Sequence, residues 1–450
     1  MIMINSWINV AVGLVVLGAV ACPLPAIAQA NGENPGSVVE IDQDGMMLLN
    51  GERTFVYGLY RDPSDDWRRF DGIRQTDANL THSYYFEEAR IRSDSDLEAY
   101  IADAREYLDL AHRHGVGVAL GLPRHLVLGA ELDTLERIIT AVRDKPALWF
   151  WYLKDEPRSK VEPDTLKQCY ALIKELDPNH PVVLVDNVRW LGVHGDAADL
   201  LWVAAYPVPW GIMPLVDSVD RVQKQHPDKP VWLVASATAE LAWGRNAQGR
   251  QPVPDAAHRP SPKEIRALGH GMIAGGSHAA IYWFAPNRWQ DIRTQTPQVW
   301  RSLVDLGTEF RTLLPALESN EPVPSVNIEV DYESRQRRMD RSWLSGKAEG
   351  SYAEPNEIVA WKRMHEGSLY IGLVNAGYQT QVNVTIELPF EFKRVVQYPD
   401  AITVIEHNSQ ETIIEYDWIP VVVRDIEQSD TINIVMNEAD TIVWRIDPAR

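Results

Sequence analysis

Cysteine is nearly absent from this chain of 450 residues, which contains only Cys22 and Cys169. If an N-terminal leader is removed, Cys169 stands alone, so no intrachain disulfide can form and stability has to come from the hydrophobic core. The sequence also lacks a His/Cys/carboxylate cluster with metal-ligand spacing, a glycine-rich phosphate loop and a serine in a nucleophile elbow. We therefore expect no metal and no cofactor.

Positive charge is scarce as well. The chain carries 43 Lys and Arg against 63 Asp and Glu, a formal net charge of -20, which disfavours binding to nucleic acid and to anionic membrane surfaces. Phenylalanine is rare too, since 8 Phe accompany 16 Trp and 16 Tyr. Rings that both stack and hydrogen-bond suit partly wet clefts, such as those that bind sugar, although large cores also contain Trp. The composition leaves the oligomeric state open.

The N-terminal segment, residues 1–30, is predicted to be a signal peptide. Its apolar run, Ile8–Ala21, is followed by small residues suited to cleavage at positions 26–30. The run is too short for a stable membrane span, and no Lys or Arg precedes it. Lipid attachment at Cys22 is the less favoured alternative. We expect a secreted or periplasmic protein with a spacer over residues 31–46.

Residues 47–318 alternate short apolar runs with longer amphipathic stretches, a pattern that predicts a (β/α)8 TIM barrel. The predicted strands are Thr54–Tyr60, Thr81–Phe86, Gly117–Leu122, Leu148–Leu153, Pro181–Val185, Leu201–Ala205, Val231–Ala235 and Ala279–Phe284. The predicted helices are Leu97–His114, Leu132–Arg143, Pro163–Leu176, Pro214–Gln225, Pro262–Ala274 and Pro297–Leu314. The helices after Tyr60 and Val185 are poorly marked and are expected to be short or displaced. A doubly wound open sheet is the competing arrangement.

Residues 322–450 change to Val/Ile/Thr-rich alternation without a long helix, which predicts an antiparallel β-sandwich. The predicted strands are Glu357–Lys362, Leu369–Asn375, Val382–Glu387, Thr412–Tyr416, Thr431–Val435 and Thr441–Ile446. Trp361 and Trp444 lie in the middle of strands and are expected to be core residues. A packing role against the barrel is therefore favoured over substrate binding for this domain.

Active sites of such barrels lie at the carboxyl ends of the strands. The most informative of these ends is Trp151 to Pro157, WYLKDEP, where an aromatic strand ends in two adjacent carboxyls. Asp155-Glu156-Pro157 resembles the Asn-Glu-Pro at the end of the fourth strand in clan A glycoside hydrolases, whose Glu is the general acid/base. Three further passages are similar to bacterial polysaccharide-degrading barrels with a following β-sandwich. They are Ala204–Gly211, Arg259–Phe284 and Ser368–Pro389.

The resemblance implies a glycoside hydrolase that cleaves O-glycosidic bonds of a poly- or oligosaccharide, with Glu156 as the general acid/base. Glycosidic cleavage needs a proton on the leaving oxygen and usually a second carboxylate, as nucleophile or as base to a water. The aromatic residues before Glu156 would favour its protonated form, and the neighbouring charge of Asp155 would act in the same direction. The alternative is structural, with this acidic pair capping the next helix or pairing with Arg158.

The second carboxylate is where the sequence departs from the clan A pattern. The clan carries its nucleophile Glu at the end of the seventh strand, but this chain has Ala235 or Ser236 there. Glu240 could reach back from the following loop, and Asp186 could hold a water at the end of the fifth strand. Asp155 could instead orient a substrate acetamido group for substrate-assisted cleavage. The barrel could also bind glycan as a pseudoenzyme without hydrolysing it.

Aromatic and basic residues at other strand ends are candidates for substrate binding. Tyr84, Tyr206 and Trp283 can stack on sugar rings or contact hydroxyls, with core packing as the alternative. Arg61, Arg124 and His125 can bind hydroxyls or a uronate carboxylate, with a solvated rim as the alternative.

Overall fold

The computed structural model describes residues 36–208, 211–237, 243–246, 249–252, 260–284, 291–331, 358–377, 382–398, 402–407, 411–416, 421–437 and 439–449. The strands in these ranges are β1 (Val39–Ile41), β2 (Met47–Leu49), β3 (Glu52–Thr54), β4 (Val56–Leu59), β5 (Leu80–His82), β6 (Gly117–Gly121), β7 (Leu148–Asp155), β8 (Val182–Asp186), β9 (Leu200–Ala204), β10 (Val231–Ser236), β11 (Trp243–Asn246), β12 (Gly249–Pro252), β13 (Ala279–Trp283), β14 (Asn327–Asp331), β15 (Ile358–His365), β16 (Ser368–Asn375), β17 (Val382–Tyr398), β18 (Ile402–His407), β19 (Glu411–Tyr416), β20 (Val421–Met436) and β21 (Thr441–Pro448). The α-helices are α1 (Asp71–Gln75), α2 (Tyr84–Glu88), α3 (Asp94–His114), α4 (Arg124–Gly129), α5 (Leu132–Val142), α6 (Pro163–Leu176), α7 (Val188–His194), α8 (Met213–Val216), α9 (Ser218–Gln223), α10 (Pro262–Ala274), α11 (Ile292–Gln295) and α12 (Pro297–Leu317). The predicted signal peptide lies outside these residues.

The predicted barrel is confirmed. Eight parallel strands close in the order β10-β13-β4-β5-β6-β7-β8-β9, so the open sheet is excluded. Alternate residues along each strand point inward or outward. Val183 and Val185 of β8, for example, pack inside the barrel with Trp202, whereas Val182 and Leu184 pack in the layer between strands and helices.

Some of the predicted helices and strands differ from the structure. The predicted strand Thr81–Phe86 is wrong beyond His82, because the Ser83 side chain accepts a hydrogen bond from the Tyr85 N–H and caps the short helix α2. The predicted helix Pro214–Gln225 is divided into α8 and α9. The two poorly marked helices are short, as expected: α1 has five residues and α7 has seven.

A small antiparallel sheet precedes the barrel. It consists of β1, β2 and β3, and β1 lies within the segment that was expected to be a spacer. Thr54, predicted to open the first barrel strand, belongs to β3 instead. Trp232 inside the barrel donates its indole N–H to the Gly45 carbonyl at 2.9 Å, which ties this sheet to the amino-terminal end of the barrel.

The C-terminal region forms the predicted antiparallel β domain. Its sheet runs β14-β17-β21-β16-β15, with β20 paired to β17, while β18 and β19 form a separate hairpin. Register shifts between Glu387 and Phe392 divide β17 into two parts. Both parts pair with β20, and on the other edge the first pairs with β14 and the second with β21. Apolar residues of β16, β17 and β21 share one core, which includes Trp444.

The β domain packs against α10 and α12 of the barrel. Trp361 is 2% exposed, as its predicted core role requires, and donates its indole N–H to His270 Nδ1 at 3.1 Å. Arg266 of α10 donates to the Thr441 carbonyl of β21 and pairs through two hydrogen bonds with Glu309 of α12. Among the described residues, no helix combines the length and the apolar character that crossing a membrane requires.

Candidate active site

The fourth barrel strand, β7, reaches Asp155 and contains a register shift next to Leu153. Tyr152 pairs with Val183, but Lys154 pairs with Leu184 and Asp155 with Val185. Residues opposite each other in a parallel sheet point to the same side. Since Val183 and Val185 lie inside the barrel, Tyr152 and Asp155 both face the interior. Without the shift, simple alternation would place Glu156 on the side of Tyr152 and turn Asp155 away.

Asp155 is held by a short chain of tyrosine hydroxyls. The Tyr152 hydroxyl donates to Asp155 Oδ1 at 2.9 Å, and the Tyr60 and Tyr152 hydroxyl oxygens lie 3.2 Å apart. Because Tyr152 uses its proton for the carboxylate, Tyr60 is the donor in the second bond. Burial and the negative charge of Glu87 raise the pKa of Asp155 to about 7. This carboxyl can therefore gain or lose a proton near neutral pH.

An aromatic wall surrounds these hydroxyls. His82 stacks on Tyr152 with ring centroids 4.0 Å apart, and Tyr84 meets His82 edge to face. Burial lowers the pKa of His82 to about 3, so the ring is neutral. His82 Nδ1 lies 2.9 Å from the Ala119 carbonyl and carries the proton, which leaves Nε2 as an acceptor. This Nε2 is buried without a partner.

Glu156 lies at the surface of the site. Its side chain is 36% exposed, and its carboxylate pairs with the guanidinium of Arg158. Both residues have left-handed backbone, with φ of 41° and 48°, a conformation that costs a non-glycine residue of the order of 1 kcal/mol. The chain thus turns sharply after β7, and the pairing weighed as the structural alternative for Glu156 is present together with its position at the barrel mouth.

Asp186 is placed differently from the two other acids. Its side chain is fully buried, and its carboxylate accepts backbone N–H groups from Arg158 at 3.0 Å and from Asn187 at 2.8 Å. Burial and the charge of Glu156 raise the pKa of Asp186 against these bonds. The carboxylate therefore supports the turn that carries Glu156, and the geometry favours this structural role over holding a water.

A buried ion pair lies behind the site. Lys154, displaced by the register shift, pairs with Glu87 of α2, and the two side chains are 2% and 4% exposed. Lys154 also donates to the Asp155 carbonyl at 2.6 Å. The sequence alone did not identify this pairing. The N-cap signal of Ser83 could have indicated a helical turn, but the partner of Glu87 depends on the shift in β7.

The seventh barrel strand, β10, ends at Ser236, opposite Trp283 of β13. The described residues at this strand end run to Ala237, and none of them carries a carboxylate. The departure from the clan A pattern therefore holds for the described part of this strand end. Glu240 lies outside the described residues.

The predicted stacking residues lie at the barrel mouth. Tyr206 and Trp283 stack on each other at 5.4 Å with an angle of 13° between the rings. Arg61 lies over the Tyr84 ring, with its guanidinium carbon 5.2 Å from the ring centre. Arg61 is 6% exposed and pairs with Asp65, but its Nε and Nη2 atoms are buried without a partner in the structure.

Two other binding candidates lie together on α4. Arg124 is exposed at the first position of this helix. His125 is half-buried, and its Nε2 lies 3.0 Å from the Ile91 carbonyl. His125 thus links α4 to the loop before α3, which is a structural contact. Among the described residues, no group of three or more His, Cys, Asp or Glu side chains is arranged to hold a metal ion.

This chain is similar to known proteins in its fold and not in its sequence. No protein-family model matches the sequence, and no curated protein matches it. A family 5 glycoside hydrolase from Bacteroides vulgatus is similar in structure, with a TM-score of 0.57 and 12% identity over 91% of this chain and 93% of that one. A second solved structure, described as a glycoside hydrolase, has a TM-score of 0.54 and 13% identity over 92% and 97%. The chain thus has a fold found in glycoside hydrolases, a barrel followed by an antiparallel β domain.

Proposed function

We propose that this protein is a glycoside hydrolase that cleaves O-glycosidic bonds of a poly- or oligosaccharide, with Glu156 as the general acid/base. The observation that carries the proposal is the pair of adjacent carboxyls at the end of β7. Asp155 faces the barrel interior beneath aromatic rings, while Glu156 is 36% exposed. The exposed carboxylate is the one that a glycosidic oxygen in the barrel mouth can reach, and the second carboxyl lies directly before it in the sequence.

In the proposed reaction, Glu156 donates a proton to the leaving oxygen as the bond between that oxygen and the anomeric carbon breaks. Water then supplies the hydroxyl of the new reducing end and returns a proton to the enzyme. Arg158 has to release the Glu156 carboxylate for this step. Its guanidinium is 46% exposed, so a substrate can displace it at small energetic cost.

The partner of Glu156 is proposed to be Glu240 or a group of the substrate itself. A substrate acetamido group oriented by Asp155 would provide an internal nucleophile, whereas Glu240 would act from the loop after β10. Asp186 is a weaker candidate because two backbone N–H groups bind its carboxylate. Tyr206 and Trp283 supply ring faces and Arg61 supplies N–H donors for binding the sugar.

Two observations favour a second candidate, a carbohydrate-binding pseudoenzyme of the same fold. Glu156 is neutralised by Arg158, and the described end of β10 carries no carboxylate. A barrel of this kind would retain the aromatic mouth for sugar binding and would have lost proton transfer.

We further propose export to the periplasm or the medium. The support is the apolar run Ile8–Ala21 with small residues after it. Extracellular location suits an enzyme for polymeric carbohydrate, because such polymers do not cross the cell membrane.

The test compares the parent protein with Glu156→Gln on a panel of polysaccharides and on two aryl glycosides. One glycoside has a poor leaving group, and the other has 2,4-dinitrophenolate, which leaves without a proton. Loss of general acid catalysis should lower kcat/KM by about 10²- to 10⁴-fold on the first and much less on the second. Glu162→Gln, an exposed carboxylate before α6 whose side chain makes no capping hydrogen bond, is the matched control.

Release of no reducing sugar by the parent from any member of the panel, together with equal glycan affinity for the parent and Glu156→Gln, would establish the pseudoenzyme instead. Equal losses on both aryl glycosides would show that Glu156 is not the proton donor.

A further inference from the structure

The proton that Glu156 transfers does not pass through the hydrogen-bond chain formed by Tyr60, Tyr152 and Asp155. Its geometry is nevertheless specific. The two hydroxyls and the carboxylate form consecutive hydrogen bonds of 3.2 Å and 2.9 Å inside the barrel mouth. Tyr60 and Tyr152 are 2% and 0% exposed, so neither hydroxyl can exchange this bond for one with bulk water.

Packing fixes this chain from both sides. Tyr152 is stacked on His82, whose Nδ1 is bonded to the Ala119 carbonyl of β6. Tyr60 meets both Tyr152 and Trp202 through its ring, at centroid distances of 6.1 and 6.4 Å. The Asp155 Oδ1 atom, held by a hydroxyl on such a ring, has little freedom to move. The hydrogen bonds from Tyr60 to Tyr152 and from Tyr152 to Asp155 therefore hold the charge of Asp155 at one place, and Asp155 is next in sequence to Glu156.

We propose that Asp155 is a positioning residue for the reaction at Glu156, and that its charge, fixed by the Tyr60–Tyr152 hydroxyls, sets the basic limit of activity. The inference rests on the proposed function. When Asp155 is ionised, its negative charge favours the protonated form of Glu156, which is the form a general acid needs. When Asp155 is neutral, that support is lost.

The other charged groups around Asp155 are consistent with titration near neutrality. Burial and Glu87 raise its pKa, and Lys154 and the Tyr152 hydroxyl lower it, with a further rise from Glu156 itself. Arg158 faces the pair from the turn after β7, and Tyr84 faces it from α2. The ionisation of Asp155 therefore depends on charged groups from β7, α2 and the turn after β7.

The experiment measures kcat/KM against pH for the parent, Asp155→Asn, Tyr152→Phe and Tyr100→Phe on the aryl glycoside with the poor leaving group. Asp155→Asn removes the charge and should move the basic limb about one pH unit lower. Tyr152→Phe should move it in the same direction by less, because Asp155 then stays neutral to higher pH. Tyr100→Phe removes a comparable buried hydrogen bond, to the Gly121 carbonyl at 3.0 Å, and should leave the profile unchanged.

Three outcomes would overturn the assignment in different ways. An active parent whose Asp155→Asn and Tyr152→Phe variants keep its pH profile would contradict this inference alone. A loss in Asp155→Asn that is large for the poor leaving group and small for 2,4-dinitrophenolate would make Asp155 the proton donor and reverse the two roles. A parent without activity on the whole panel would contradict the proposed function on which the inference rests.

Discussion

Arg158 pairs with Glu156 across a single intervening residue, and both hold left-handed backbone at the end of the fourth barrel strand. The pair is partly exposed, so water screens it and its contribution to folding stability is small. Its importance is chemical, because a cation beside a carboxylate favours the ionised form.

Replacing Arg158 with Ala is therefore expected to extend activity to higher pH, since a carboxylate without its cation retains a proton more readily. Stability should change by less than about 1 kcal/mol. The measurement is kcat/KM against pH, together with urea unfolding. Arg113→Ala, which removes an exposed arginine on α3, controls for net charge. If both variants gave the parental profile, the pairing would have no bearing on proton transfer.

The raised pKa of Asp155 predicts how stability depends on pH. The folded-state pKa of about 7 lies above the ordinary value of 3.8, so the folded state holds this proton more tightly than the unfolded chain does. The associated stability is present at low pH and is lost as the pH rises from about 4 to 7. Asparagine cannot ionise, so Asp155→Asn should gain stability relative to the parent on going from pH 5 to pH 8.

Urea unfolding of the parent and Asp155→Asn at several pH values measures this difference without any substrate. In a Tyr152→Phe background the transition should move to higher pH, because the hydroxyl that stabilises the carboxylate is missing. A stability difference that does not vary between pH 5 and pH 8 would show that Asp155 keeps an ordinary pKa.

The buried ion pair between Arg266 and Glu309, where the barrel meets the β domain, predicts that a substitution there lowers folding stability strongly. Burial alone would raise the pKa of Glu309, but Arg266 and His270 hold it at about 2. Glu309→Gln would leave the Arg266 charge buried without its carboxylate, which costs about 3–5 kcal/mol. Equilibrium urea unfolding should show this loss. Arg311→Ala, which removes an exposed partner of Asp77, should cost under about 1 kcal/mol.

Much of the fold followed from sequence periodicity. The eight barrel strands were located because buried parallel strands read as short apolar runs. Both α6 and α10 begin where predicted, because each has Pro at its first position, and Ser261 also caps α10. The second strand was extended too far because residues 84–86 are aromatic, and aromatic residues are also frequent in strands. In the structure these residues form a helix, which the hydrogen bond from the Tyr85 N–H to the Ser83 side chain caps.

The amino-acid sequence by itself determined that two carboxyls end the fourth strand at the carboxyl edge of a barrel, because strand periodicity and chain direction are local properties. Only the tertiary structure decided which of them faces inward. The shift beside Leu153 is a property of the pairing between β7 and β8, so it depends on the neighbouring strand. The bond between the Tyr60 and Tyr152 hydroxyls and the anchoring of Asp186 by the Arg158 N–H likewise join residues distant in sequence.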